Sequence, residues 1–120
     1  MATLYLIPTT LGDTPHDRVL PAYNAGIIRH LRHFIVEEVR TARRFLKAVD
    51  RSICIDDLTF YPMGKHADPA RYSAYLEALR QGEDMGVISE AGCPAVADPG
   101  AAIVEIAQRE GLHVVPLVGP

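Results

Sequence analysis

Residues Ser89 to Gly100 read SEAGCPAVADPG. Gly92 and Gly100, with the small side chains of Ala91, Cys93, Ala95 and Ala97, let a ligand come close to the main chain. Pro94 and Pro99 stiffen the segment and so lower the cost of ordering it around a ligand. The chemistry implied is capture of a small molecule by backbone groups. A phosphate loop would need a nearby Lys or Arg, and none occurs between Arg80 and Arg109. Glu83, Asp84, Glu90, Asp98 and Glu105 occupy that stretch instead. A nucleoside triphosphate is therefore disfavoured, and a neutral or cationic adenosine compound fits better. S-adenosylmethionine, with its sulfonium, meets that description. Asp98-Pro99 serves equally well as a plain helix start, which leaves Ala91 to Pro94 as the functional part.

A second glycine- and proline-bearing segment, PTTLGDTP from Pro8, follows an apolar run. It lacks the GxGxxG pattern of dinucleotide sites, so it reads as a ligand loop or as an ordinary turn. Asp13 within it either shapes the turn or faces a substrate.

Arg40, Arg43, Arg44, Lys47 and Arg51 recur at helical spacing and share one face, with Ala42, Phe45, Leu46 and Val49 on the other. Between Arg40 and Arg51 five basic residues stand against one acidic residue, Asp50. This stripe can hold an RNA backbone through counterion release, or it is simply a solvated helix face. Arg29, His30, Arg32 and His33 add basic character just upstream. The five histidines are scattered, with no HxxxH pair and carboxylate partner, so no metal site is expected.

These residues need a scaffold. Short apolar runs alternate with longer helical segments. Strands are expected at Thr3–Pro8, His33–Glu37, Leu58–Pro62, Met85–Ser89 and His113–Val118. Helices are expected at Arg18–Leu31 and Val39–Val49. Two more open at Asp68-Pro69 and Asp98-Pro99 and close at Gly82 and Gly111. Such alternation predicts an α/β fold in three layers: a mostly parallel five-stranded sheet with helices on both faces. Runs such as LYLI do not alternate with polar residues, as befits strands covered on both sides. Ligands in such sheets bind at the carboxyl ends of the strands, where both loops lie.

The 120 residues suit one domain. Twelve Lys and Arg against fifteen Asp and Glu give a net charge of −3, so any nucleic-acid contact must be local. Cys54 and Cys93 form no CxxC, and a reducing cytoplasm fits. No signal peptide is evident at MATLYLIPTT, and no apolar run reaches the ~20 residues that span a membrane.

Four segments together resemble one family: LYLIPTTLGD (4–13), FIVEEVRTARRFL (34–46), MGVISEAGCPAVADPG (85–100) and GLHVVPLVGP (111–120). They look like the tetrapyrrole methylase superfamily of S-adenosylmethionine-dependent methyltransferases. Within it they most resemble the branch that methylates the ribose 2′-oxygen of a cytidine in small-subunit ribosomal RNA. The likeness spans nearly the whole chain, in register. The chain departs from that branch's usual pattern in Pro8-Thr9-Thr10-Leu11-Gly12-Asp13, Glu37-Glu38-Val39-Arg40 and Ser89-Glu90-Ala91-Gly92-Cys93-Pro94, which suggests a divergent paralogue.

The resemblance implies a cofactor cleft between two α/β domains. By position, Leu11 and Gly12 contribute from the first loop and Ala91, Gly92, Cys93 and Val96 from the later one. It further implies that residues 1–120 are the N-terminal domain of a two-domain enzyme. A second domain would start after a Gly-Pro like Gly119-Pro120, so this domain alone would bind cofactor incompletely and be inactive. Homodimers are common among the relatives. Methyl transfer to a ribose hydroxyl profits from a base, and Asp13, Glu37 and Glu38 are candidates, each also readable as a solvated or Arg-paired carboxylate. Arg40, Arg43, Arg44 and Lys47 would face the ribosomal RNA. Two other readings stay open: methylation of a tetrapyrrole or other small molecule, and a non-catalytic module that binds a partner or dimerises.

Overall fold

The computed structural model describes residues 2–8, 22–64, 67–88 and 100–117. Five strands, β1 (Thr3–Ile7), β2 (His33–Val36), β3 (Thr59–Pro62), β4 (Met85–Ile88) and β5 (His113–Pro116), form one sheet. Its order is β3-β2-β4-β1-β5, and every pairing is parallel. The helices are α1 (Ala22–His30), α2 (Val39–Val49), α3 (Tyr72–Tyr75), α4 (Glu77–Arg80) and α5 (Gly100–Arg109). Short 3-10 turns lie at Ile55–Asp57 and Pro69–Arg71.

Successive strand residues face opposite layers. Leu4, Leu6, Ile35, Met85 and Val87 meet Leu76, which lies between α3 and α4, Leu79 of α4, and Ile103 and Ala107 of α5. Ile7, Phe34, Val36 and Ile88 meet Ile28 and Leu31 from α1 and its exit, and Ala42, Phe45 and Leu46 from α2. This is the three-layer arrangement that the strand composition implies. The central strand β4 is buried at every position, whereas β3 and β5 are exposed at their ends. Both edge strands end in proline, Pro62 and Pro116, which removes a donor at the sheet border and discourages edge-to-edge pairing.

Gly86 explains how α1 seats so closely. A β-carbon there would lie 2.6 Å from Ile7 Cδ1, 3.1 Å from Leu31 Cδ1 and 3.2 Å from Phe34 Cδ1. The space over the middle of β4 is filled by its neighbours.

The helix signals at Asp68, Gly82 and Gly111 fall on described residues and hold there. Asp68 accepts a hydrogen bond from the Ala70 amide at 3.0 Å. Gly82 and Gly111 take φ of +97° and +73° at the exits of their helices. The expected continuous helix after Asp68 is instead a 3-10 turn followed by α3 and α4, which part at Leu76. There the Leu76 amide bonds the Ser73 carbonyl three residues back, at 3.2 Å. This tighter turn accompanies full burial of Leu76, a packing demand that the helical pattern does not reveal. The helix starts expected at Arg18 and at Asp98-Pro99 lie outside the described residues.

Candidate functional site

In a parallel sheet all strands end at the same side. Here the ends are Ile7, Val36, Pro62, Ile88 and Pro116. The chain leaves β1 and β2 for helices on one face and β3 and β4 for helices on the other. Strand β4 sits between β2 and β1, so the direction of winding reverses on both sides of it. Such a switch point opens a crevice at the carboxyl edge, where α/β sheets bind ligands.

Ile7 and Ile88 are register partners. The chain runs on from these two neighbouring ends into residues 9–21 and 89–99. The candidate cofactor residues Leu11, Gly12, Ala91, Gly92, Cys93 and Val96, and the candidate base Asp13, lie in those segments, outside the described residues.

Around this crevice the described rim can be built residue by residue. Glu37 follows β2 and is half buried. Past β3, the Met63 amide donates to the Val36 carbonyl at 2.7 Å and so prolongs the sheet by one rung. Gly64 then passes so close to β2 that a β-carbon on it would stand 2.5 Å from the Glu37 carbonyl oxygen. Two hydroxyls fasten the same segment: Tyr75 donates to the Pro62 carbonyl at 2.6 Å and Tyr72 to the Met63 carbonyl at 3.3 Å. The Ala67 amide closes the turn on the Gly64 carbonyl at 2.9 Å. Residues 62–64 are thus a fixed wall beside Glu37. Sequence reasoning missed it. A glycine two residues past a strand end was the available signal; the tyrosines gave none, because their partners are main-chain oxygens about ten positions away.

The two carboxylates expected at the end of β2 differ. Glu38 is the N-cap residue of α2 and accepts from the Thr41 hydroxyl at 2.7 Å. Glu38 is thus engaged with its own helix, whereas Glu37 is half buried just past the end of β2.

On α2, Arg40, Arg43, Arg44 and Lys47 are exposed, opposite the buried Ala42, Phe45 and Leu46. The structure brings these four together as one face. Arg51 is not on it, because the helix ends at Val49 and Asp50 is extended. Lys47 is partly used at home: its ammonium donates to the carbonyls of Arg51 at 3.0 Å and Ile53 at 2.6 Å, just beyond the helix end. Arg43 lies over the ring of Phe60, 6.0 Å from its centroid.

The upstream cations are also committed. Arg29 pairs with Asp50 and so ties the end of α1 to the end of α2. Main-chain and side-chain hydrogen bonds from Ser52, followed by Arg29, lower the Asp50 carboxyl from 3.8 to about 2. His33 bonds the Tyr61 hydroxyl at 2.9 Å and Glu83 at 3.1 Å, at the far edge of the sheet from the site. Arg80 is gripped by Glu110 and Glu77, which raises its pKa and lowers that of Glu110.

Among the described residues no cluster of three or more His, Cys, Asp or Glu could hold a metal ion. Cys54 is a free, exposed thiol. No described helix is long and apolar enough to cross a membrane.

Strand order and helix layers together define an all-parallel, doubly wound α/β unit with a topological switch point around β4. No family model matches the sequence. Curated proteins do. The chain is 42% identical, over 97% of its length, to the protein named ribosomal RNA small subunit methyltransferase I of Leptospira biflexa, of which this match covers 45%. The protein of that name from Pseudomonas aeruginosa is 38% identical over 98% of the chain, covering 39% of the relative. That from Micromonospora olivasterospora is 32% identical over 98%, covering 35%. The chain thus spans less than half the length of these relatives.

Proposed function

We propose that the chain is the N-terminal α/β domain of an S-adenosylmethionine-dependent methyltransferase that acts on small-subunit ribosomal RNA, at a ribose 2′-oxygen. The observation that carries this reading is the match over nearly the whole chain to relatives of that name. The switch-point crevice supports it, since it stands where α/β folds bind small ligands.

The described rim suits the cofactor's charge. The strand ends Ile7 and Ile88 are apolar and buried, Glu37 follows β2, the strand next to β4, and no Lys or Arg lies between Arg80 and Arg109 in the sequence. When bound, S-adenosylmethionine supplies an activated methyl group on a positively charged sulfur. Leu11, Gly12, Ala91, Gly92, Cys93 and Val96 would hold it. The chain's main task is then to align the acceptor oxygen with that methyl, which can account for most of the rate. A ribose hydroxyl that accepts the methyl group would have to give up its proton to a base. In this reading Glu37 would take it, with Asp13 the other candidate; Glu38 is engaged by Thr41. Arg40, Arg43 and Arg44 present the RNA.

The short span relative to the matched proteins supports a second domain that completes the cofactor site, and a homodimer and a cytoplasmic setting belong to the same reading. The decisive experiment is methyl transfer by the full-length polypeptide to undermethylated small ribosomal subunits, with calorimetric titration of S-adenosylmethionine. Transfer to a cytidine ribose is expected. No binding heat in the full-length protein would overturn the enzyme reading.

A further inference from the structure

Arg43 differs from the other cations of α2. Its guanidinium carbon stands 6.0 Å from the centroid of Phe60. Phe60 in turn stacks on Phe34, with centroids 6.1 Å apart and planes 27° from parallel. Phe34 is fully buried, Phe60 half buried and Arg43 exposed. Three planar groups therefore step outward from the core to the surface at the β3 edge, the sheet border with no further strand among the described residues. Arg40 and Arg44 flank this stack on the same helix, both exposed, and no described residue forms an ion pair with either.

We propose that Arg43, backed by Phe60 and Phe34, is the stacking platform for an unpaired RNA base, while Arg40 and Arg44 hold the phosphates on either side. The proposal rests on the RNA reading above and narrows it to single-stranded RNA. A guanidinium is planar, delocalised and weakly hydrated, so its outer face accepts a nucleobase that an ammonium would not. Phe60 beneath it limits the side chain's freedom, which reduces the ordering cost on binding. Contacts to phosphate alone do not distinguish paired from unpaired RNA. A stacking face does, because a duplex keeps its bases covered.

The test compares the chain with its R43K variant, which keeps the charge and removes the plane. Fluorescence anisotropy would be read with a single-stranded oligoadenylate and with an RNA duplex of equal length. R43K is expected to bind the oligoadenylate about tenfold more weakly, within the range for one lost stack. It should bind the duplex as the unaltered chain does, with an unchanged salt slope. R40K and R44K should leave the ratio between the two ligands unaltered. F60L, checked for folding by circular dichroism, should lose part of the same preference. Equal affinity of R43K and the unaltered chain for oligoadenylate would overturn the proposal while leaving the RNA reading standing. Equal losses on both ligands would also overturn it and make Arg43 a phosphate contact. An unaltered chain that binds neither RNA overturns both readings.

Discussion

The α-carbon of Gly64 lies against the main-chain carbonyl of Glu37, so close that a β-carbon would come within 2.5 Å of the oxygen. Backbone cannot yield there as a side-chain end can. The turn after β3 and the end of β2 therefore form one wall of the crevice only while residue 64 has no side chain.

G64A should separate these two segments. The Met63–Val36 and Tyr75–Pro62 hydrogen bonds would be strained together. A loss of about 1–3 kcal/mol is expected from overpacking at such a site, read by urea denaturation. In the full-length protein the turnover of RNA should fall more than the affinity for S-adenosylmethionine, because Glu37 is displaced. An unchanged denaturation midpoint would show that the wall relaxes freely.

G86A tests the packing of α1 on the sheet. Its β-carbon would meet the side-chain ends of Ile7, Leu31 and Phe34. These can shift, but into a filled layer, and the expected cost is again about 1–3 kcal/mol. A stabilised variant would mean that the layer over β4 holds unused space.

Charge reversal separates the substrate classes. R43E with R44E changes two exposed positions, so the melting temperature should stay nearly constant. RNA binding should be abolished if ribosomal RNA is the substrate. Retained methylation of a tetrapyrrole or another small molecule, with no dependence on these arginines, would favour the small-molecule reading.

Asp50 provides an acid-stability test. Its folded pKa of about 2 lies below the ordinary 3.8, through Ser52 first and then Arg29. A depressed carboxylate contributes stability that is fully present above its unfolded value and fades as the pH falls through its folded value. D50N should therefore melt below the unaltered chain at neutral pH, and the gap should close between about pH 4 and pH 2. A gap that persists at low pH would assign the effect to shape and not to charge.

Much of the architecture was legible because its signals are local. Apolar runs without polar alternation marked strands buried on both faces, Asp68-Pro69 marked the start of a helical segment, and Gly82 and Gly111 marked helix exits. Even the opposed faces of α2 followed from spacing alone. The break at Leu76 was not legible, since it depends on what the neighbouring layer leaves room for. Arg51 leaves the basic face for a local reason: the helix ends at Val49, the bound that the pattern sets, and Asp50 is extended.

The site divides in the same way. By itself the sequence determined which residue types could serve: small residues and prolines for a backbone-held ligand, carboxylates after β2, and a cationic helix. Which of them are free to act follows from the folded arrangement. Strand order placed Ile7 beside Ile88 at the switch point. Contacts made across the fold committed Arg29 to Asp50 and set Arg43 on Phe60, while local turns of α2 and its exit engaged Glu38 with Thr41 and Lys47 with the carbonyls of Arg51 and Ile53. The physical reason is range. Propensity and periodicity act over a few residues, whereas a polar group's partner is whatever the folded chain brings within about 3 Å of it.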